Sequence, residues 1–416
     1  MPLQAQRLID WLLSEGRFVE RLPDLVGGFA AKLAAEGVPL CRLTLHLRLL
    51  HPALRGVTYI WRAGGDGVEE IGRVHGVEET PLYLKSPMFT IVEQGASGIR
   101  YRLDRLDPPY PYTILDDLRA EGVTDYVALP IRFSTGQLNL VSFASDRPDG
   151  FATGMLDCLY RLLPTFGLAI EALAVRMLAT NLLDTYVGHA AGEQILSGAV
   201  QRGSGASVGA VIWFCDIRGF SGLADRLGRD ETLALLNDYF EAVGEPVTAE
   251  GGEILKFIGD GMLAMFPLGA ADGGARRSDT ETARAACRAA WRASANLARL
   301  NRRRASAGVP QIDHGIALHV GEVMWGNIGM PHRLDFTVVG PAVNLTARLE
   351  RMTRTLGRRV VASEAFAGTC GSGRLEPLGR HRVHNIAEPV AIWALPDHPP
   401  AEAGQDGPAP GSPTKA

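Results

Sequence analysis

Two short apolar runs in the C-terminal half finish alike, with an aspartate close to a glycine. One reads Val211-Ile212-Trp213-Phe214-Cys215-Asp216-Ile217-Arg218-Gly219-Phe220-Ser221, the other Ile254-Leu255-Lys256-Phe257-Ile258-Gly259-Asp260-Gly261. Short, continuous apolar runs bounded by turn residues are consistent with strands buried on both faces, which puts each aspartate at a strand tip. One aspartate after a strand is most simply a helix cap or a solvated loop residue. Two in the same setting suit a hard divalent cation, which takes carboxylate oxygens and leaves room for substrate phosphates. The expectation is a two-metal phosphoryl-transfer site, and a fold that brings two strand ends together.

The surrounding pattern supplies such a fold. The second half alternates strand and helix: a strand over 210–216, a helix over 223–247, a hairpin over 254–266, a helix over 280–301, then strands over 312–320 and 323–328. This β-α-β-β-α-β order is the ferredoxin-like pattern. In the first half, helices are expected over 3–13 and 22–35. Leu43, Leu45, Leu47 and Leu49 then alternate with Arg42, Thr44, His46 and Arg48, the mark of a half-buried strand. Further strands are expected over 57–61, 126–133 and 138–144, giving an α+β domain. The pattern turns helical over 155–199, with Gly188, Gly192 and Gly198 breaking it near its end, and residues 201–207 read as a polar, glycine-rich linker. The expected divisions are a sensor or regulatory domain over 1–154, a connecting helix and linker over 155–207, a catalytic domain over 208–396, and a disordered tail rich in Pro, Gly and Ala over 397–416.

Composition narrows the class. A chain of 416 residues is long for one core. Its net charge of −4 gives no global electrostatic case for nucleic acid or an anionic membrane. Arg284, Arg288, Arg292 and Arg299, followed by Arg302-Arg303-Arg304, fit the solvated face of an amphipathic helix. The five cysteines lack metal-ligand spacing and read as reduced thiols. Residues 1–13 carry Arg7 and Asp10, unlike a signal peptide, and Arg161, Pro164, Glu171 and Arg176 interrupt the apolar stretch 156–183. The expectation is a soluble, cytoplasmic protein without a membrane span.

Four motifs, in order, cover most of residues 209–393: Phe214 to Ser221, Lys256 to Gly261, His319-Val320-Gly321-Glu322-Val323, and Thr337-Val338-Val339-Gly340-Pro341-Ala342-Val343-Asn344-Leu345-Thr346-Ala347-Arg348-Leu349. Together they resemble the catalytic domain of a class III adenylate/guanylate cyclase. The resemblance implies that Asp216 and Asp260, with Ile217, hold two magnesium or manganese ions. It implies that the turn Ile217 to Ser221, with Gly219, Phe220 and Ser221, contacts phosphate, that Asn344 orients the ribose, and that Arg348 stabilises charge on the α-phosphate. Asn344 and Arg348 stand four apart on one helical face, and guanidinium binds phosphate oxygens in pairs. Base choice falls on Lys256 and Thr337. Lysine with threonine resembles the adenylate type, whereas guanylate cyclases typically carry glutamate and cysteine.

There is one departure. Where the family usually places a basic triphosphate contact, this chain has His384-Asn385-Ile386-Ala387-Glu388-Pro389-Val390, with Arg382 nearby. The chain holds both halves of the family's shared site and one such domain, so the resemblance implies a homodimer acting on ATP. The first half resembles a GAF-like sensor domain, with an unnamed small-molecule or protein signal. Guanylate cyclase activity and a non-catalytic nucleotide-binding module are the alternatives.

Overall fold

The computed structural model describes residues 5–269, 271–272 and 275–396, and the chain divides between Thr185 and Tyr186 into two units. The expected tail 397–416 lies outside the described residues.

In the N-terminal unit, helices α1 (Ala5–Ser14) and α2 (Leu22–Ala35) precede strands β1 (Arg42–Arg48), β2 (Leu54–Arg62) and β3 (Val68–Val74). Short helices α3 (Pro81–Leu84) and α4 (Pro87–Val92), strand β4 (Ile99–Arg102), helix α5 (Thr113–Ala120), strands β5 (Asp125–Arg132) and β6 (Leu138–Ser145), and helix α6 (Thr153–Val187) follow. The strands form one antiparallel sheet in the order β3-β2-β1-β6-β5-β4. Leu43, Leu45 and Leu47 of β1 pack into one core with α1, α2 and α6. The opposite face is covered as well, by a second cluster that includes Ile91, Leu115, Leu118, Tyr126 and Leu140. The alternation in β1 therefore does not mark a strand with one face in water: Thr44 is 6% exposed.

Helix α6 departs from its expected form in two ways. It runs unbroken through Pro164 and the charged residues, and is long and apolar enough by length and composition to cross a membrane. Its first half is core, with Leu159, Leu162, Phe166 and Ile170 buried, so the same apolar content has a packing role. It also stops at Val187 instead of continuing to residue 199. A separate helix, α7 (His189–Leu196), follows Gly188 and holds Gly192 inside it.

The C-terminal unit continues with β7 (Gly205–Ile217), α8 (Phe220–Ala224), α9 (Arg229–Ala249), β8 (Glu253–Ile258), β9 (Gly261–Pro267), the two-residue strands β10 (Ala271–Asp272) and β11 (Ala275–Arg276), and α10 (Asp279–Ser306). After these come β12 (His314–Met330), β13 (Arg333–Val339), α11 (Pro341–Thr355), β14 (Val360–Ser363), α12 (Glu364–Cys370), β15 (Glu376–His381) and β16 (Val390–Ala394). The main sheet has the order β15-β16-β14-β12-β7-β9-β8, with β13 paired to the far half of β12. Residues 205–207, expected in a linker, are instead the first rungs of β7 opposite Met324–Gly326. Small residues are needed there because a Cβ on Gly326 would strike the Ser204 carbonyl. The two strands expected over 312–328 are one continuous strand, β12.

Along β7 the side chains alternate as a pleated strand requires. Val211, Trp213, Cys215 and Ile217 enter a core with α9, α10 and α12. Ala210 and Ile212, with Phe214 beside them, enter another that includes Leu255, Val338 and Ala342. Alanines at 283, 286, 289, 290 and 293 are buried in α10, so that helix can lie close to the sheet. Its arginines meet acids: Arg288 pairs with Glu250 and Glu281, Arg292 with Glu245 and Glu250, and Arg304 with Asp238.

Candidate active site

Asp216 continues the even-numbered row 210, 212, 214, so it lies on the sheet face away from α9 and α10. Asp260 sits in the two-residue turn that joins β8 to β9, where Ile258 pairs with Gly261. Because β9 lies beside β7, this turn brings Asp260 to Asp216 within hydrogen-bonding reach. Burial, the Asp260 contact and charge, and the Glu350 charge push the Asp216 carboxyl up to about 7. The Asp216 Oδ1 atom also accepts from the Ile217 amide at 3.1 Å.

A half-buried carboxylate pair of this kind suits a cation. Two adjacent negative groups destabilise one another until positive charge is shared between them. Among the described residues no group of three or more His, Cys, Asp or Glu side chains could hold a metal. Two carboxylates are a donor set that fits a hard cation keeping water or phosphate ligands.

The chain after Asp216 turns sharply. Gly219 has φ +70° and caps α8, a conformation costly for residues with a Cβ. The first amides of α8 have no acceptor within the helix, and Phe220 and Ser221 supply two of them. Arg354 of α11 reaches this turn: its guanidinium lies 3.7 Å from where a Gly219 Cβ would be.

Helix α11 presents two opposite faces. Thr346, Glu350 and Thr353 are buried on one. A Cβ on Gly315, which is paired with Asp216, would overlap Glu350 Oε1 and Thr353 Oγ1. Asn344 and Arg348 lie roughly half a turn around the helix from that set, from the 3.6-residue period. Asn344 is exposed, and Arg348 donates to the Asn385 carbonyl at 3.1 Å. The structure thus brings Asp216, Asp260 and the 217–221 turn together, and places Asn344 and Arg348 on the other face of α11.

The two residues expected to select the base lie on two strands. Lys256 is half-buried on β8. Thr337 is 4% exposed on β13, opposite Gly326, and its hydroxyl has no hydrogen-bond partner. Leu255 and Val338, the neighbours of Lys256 and Thr337, share one apolar cluster, which ties the two strands together. His384 is exposed in the loop between β15 and β16, next to the carbonyl that holds Arg348. His319 bonds Ser363 at 2.7 Å and burial pushes it down to about 4, as expected of a structural histidine.

Sequence reasoning missed two residues. Glu350 is a third carboxylate facing the aspartate pair, with burial as the main cause of its raised pKa. Arg354 is a cation at the phosphate-type turn. The only available signal was their helical spacing from Thr346, which a helix surface also produces.

The sequence profile of the adenylate and guanylate cyclase catalytic domain matches residues 206–372. An adenylate cyclase of Anabaena cylindrica is 32% identical over 170 residues, 40% of this chain and 32% of that protein. Adenylate cyclase 1 of Rhizobium meliloti (strain 1021) is 32% identical over 183 residues, 44% of this chain and 26% of that protein. The chain therefore spans about a quarter to a third of the length of these curated relatives. The crystal structure of the guanylyl cyclase Cya2 is 31% identical, covering 46% of this chain and 93% of that one with a TM-score of 0.40. The matched segment contains the aspartate pair, the glycine turn, Lys256, Thr337 and the Asn344/Arg348 helix, so the C-terminal unit belongs to the class III adenylate and guanylate cyclase catalytic-domain family.

Proposed function

We propose that the protein is an adenylate cyclase that converts ATP to 3′,5′-cyclic AMP and pyrophosphate. The observation that carries this reading is the Asp216/Asp260 pair, two carboxylates in contact at a strand end and in the neighbouring hairpin turn. The ribose 3′-oxygen forms a bond to the α-phosphorus while the bond to the bridging oxygen breaks. Pyrophosphate leaves and the 3′-hydroxyl proton passes to solvent.

Asp216 and Asp260, with the Ile217 carbonyl, would hold two magnesium or manganese ions. Bound there, such ions acidify the attacking hydroxyl and neutralise the triphosphate. In the 217–221 turn the amides of Gly219, Phe220 and Ser221, with the Arg354 guanidinium, donate to phosphate oxygens, since those of Ile217 and Arg218 are held by Asp216 and Asp313. Lys256 can only donate, so it suits the acceptor nitrogens of adenine, and the unpartnered Thr337 hydroxyl can accept from the exocyclic amine. That buried hydroxyl is free to meet a base edge, and the choice of ATP over GTP rests on the resemblance of the Lys256/Thr337 pair to the adenylate type. His384 stands near Arg348 as the candidate triphosphate contact.

The opposed faces of α11 support a shared site in a two-fold homodimer: one chain supplies the aspartates, and its partner supplies the base-selecting pair with Asn344 and Arg348. The N-terminal unit is read as a GAF-like regulatory domain coupled through α6, and the C-terminal sheet as a ferredoxin-like core. No nucleic-acid role is assigned to the arginines of α10, of which Arg288, Arg292 and Arg304 are paired with acids. A cytoplasmic location is part of the same reading.

The test is a turnover assay of the full chain with ATP or GTP and magnesium or manganese. Cyclic AMP formed at least about tenfold faster than cyclic GMP supports the reading, a ratio within reach of one or two lost hydrogen bonds. Dominant cyclic GMP would move it to a guanylate cyclase. No product from folded, dimeric protein would move it to a non-catalytic nucleotide-binding module.

A further inference from the structure

The polar face of β1 is buried without being packed solid. Between this face of the N-terminal sheet and the segment carrying α3, α4 and α5 is a cavity of about 240 Å³. Its sheet wall is polar: Thr44, Thr58 and Ser142 are 6%, 1% and 5% exposed, and their register places them on adjoining strands. Its opposite wall is apolar, with Met88, Ile114 and Leu118. These hydroxyls are bonded along the wall itself, Thr44 accepting from Arg42 at 3.4 Å and Thr58 from Arg73 at 3.3 Å, which holds two guanidiniums at the cavity.

The charge around the cavity is one-sided. Arg42, Arg48, Arg55, Arg73 and Lys85 line it, against one lining carboxylate, Glu78. Arg42 pairs with Glu121 at 3.1 Å, Arg48 with Glu93 at 3.9 Å and Arg55 with Glu78 at 3.6 Å. Arg73 and Lys85 have no carboxylate within salt-bridge distance among the described residues. The Arg73 Nε atom donates to the Thr58 hydroxyl at 3.3 Å, which aims the guanidinium at the polar wall. His46, 3.0 Å from the same hydroxyl, is pushed down to about 4 by burial and by Arg73 and Arg42, and is neutral at pH 7. Burial is the larger cause, and the two guanidiniums add to it in the same direction.

We propose that this cavity binds a small organic anion with an apolar body, its negative group at Arg73, Thr58 and His46 and its body against Met88, Ile114 and Leu118. A bare inorganic anion would leave the apolar wall uncovered, and a neutral apolar molecule would leave Arg73 without a counter-charge. The volume suits a compact ring system and not a polymer end or a peptide. The inference is independent of the cyclase reading, because every residue it uses lies between 42 and 142.

The experiment is calorimetric titration of the full chain at low salt with naphthalene-2-carboxylate and with its uncharged amide. The carboxylate is expected to bind saturably and at least about tenfold more tightly than the amide, the scale of one hydrogen bond to a charged group. R73Q should cut that preference below about threefold, K85Q should weaken it less, and R302Q, on α10, should leave it unchanged. If R73Q fails to fold, K85Q and R302Q still separate a local from a general charge effect. Equal affinity for the two probes, no saturable binding of either, or a preference that survives both R73Q and K85Q overturns the proposal.

Discussion

Both units are built on sheets buried on two faces, but they place their polar residues differently. In the C-terminal unit, Asp216 and Asp260 stand at a strand end and in a hairpin turn, and Asn344 and Arg348 stand on a helix. In the N-terminal unit, Thr44, His46 and Thr58 stand in the middle of strands, across a cavity from apolar helices. A strand end leaves a local signature, because the apolar run must stop and a glycine must often turn the chain. A strand face leaves only alternation, and alternation is also what water produces.

The contrast can be broken first at the aspartates. Asp216→Ala should lower turnover by about 10³ or more, because the lost cation site removes several kcal/mol of charge stabilisation. Asn344→Ala should be similarly crippled. If sites are shared, equal mixtures of the two variants should recover roughly a quarter of wild-type activity, since random pairing makes half the dimers mixed and each mixed dimer keeps one intact site. Mixed dimers shown to form yet remaining inactive would place all the groups in one chain and refute the two-face reading of α11.

Arg348→Ala is expected to cost about 10²–10³ in kcat with the melting temperature kept, the scale of one preorganised charge-stabilising donor. Among the described residues its guanidinium hydrogen-bonds only to the Asn385 carbonyl, so little folding energy depends on it. A loss below about tenfold would show that another cation, with Arg354 the first candidate, carries that role.

A smaller effect tests base choice. Thr337→Val keeps the volume of a buried side chain and removes a hydroxyl that has no partner in the free protein. Stability should hold or rise slightly, while KM for ATP should increase by about tenfold, the cost of one lost hydrogen bond. A fall in stability with KM unchanged would mean that Thr337 is a packing residue.

How much could be read from the sequence follows the same division. The order of the C-terminal strands and helices, the aspartates at their turns and the helical Asn344/Arg348 spacing were legible because each is a local pattern. Glu350 was not, since its importance comes from Gly315 on β12, whose missing side chain leaves the room it occupies. Residues 205–207 read as linker because small polar residues do mark loops, yet β12 supplied a partner strand. Arg161, Pro164, Glu171 and Arg176 read as interruptions of 156–183, but a helix packed along one face tolerates them on the other. The cavity was invisible because the helices that close it lie far along the chain from β1.

Acid offers the finest comparison of the two units. His46 is held near 4 in the folded N-terminal unit, against about 6.5 when unfolded. Above pH 6.5 both states are neutral and its contribution is complete. As pH falls the unfolded chain takes up the proton first, so stability is lost until the pH passes the folded value. In the C-terminal unit His314 and His319 are also pushed to about 4 and act in the same direction. There, however, Asp216 is raised to about 7 and Glu350 is raised by burial, so the folded state takes up protons before the unfolded state and gains stability as pH falls. In metal-free protein, His46→Gln should therefore flatten the decline in melting temperature between pH 6.5 and 4.5, and Asp216→Asn should steepen it. Each change should be only a few degrees, at about 2–4 °C per kcal/mol for domains of this size. Calorimetric scans across that range would check both signs, and saturating magnesium should reverse the Asp216→Asn difference, because a bound cation keeps the wild-type carboxylate ionised and is lost as pH falls, while leaving that of His46. If magnesium leaves the Asp216→Asn difference intact, the aspartate pair is not where the cation binds.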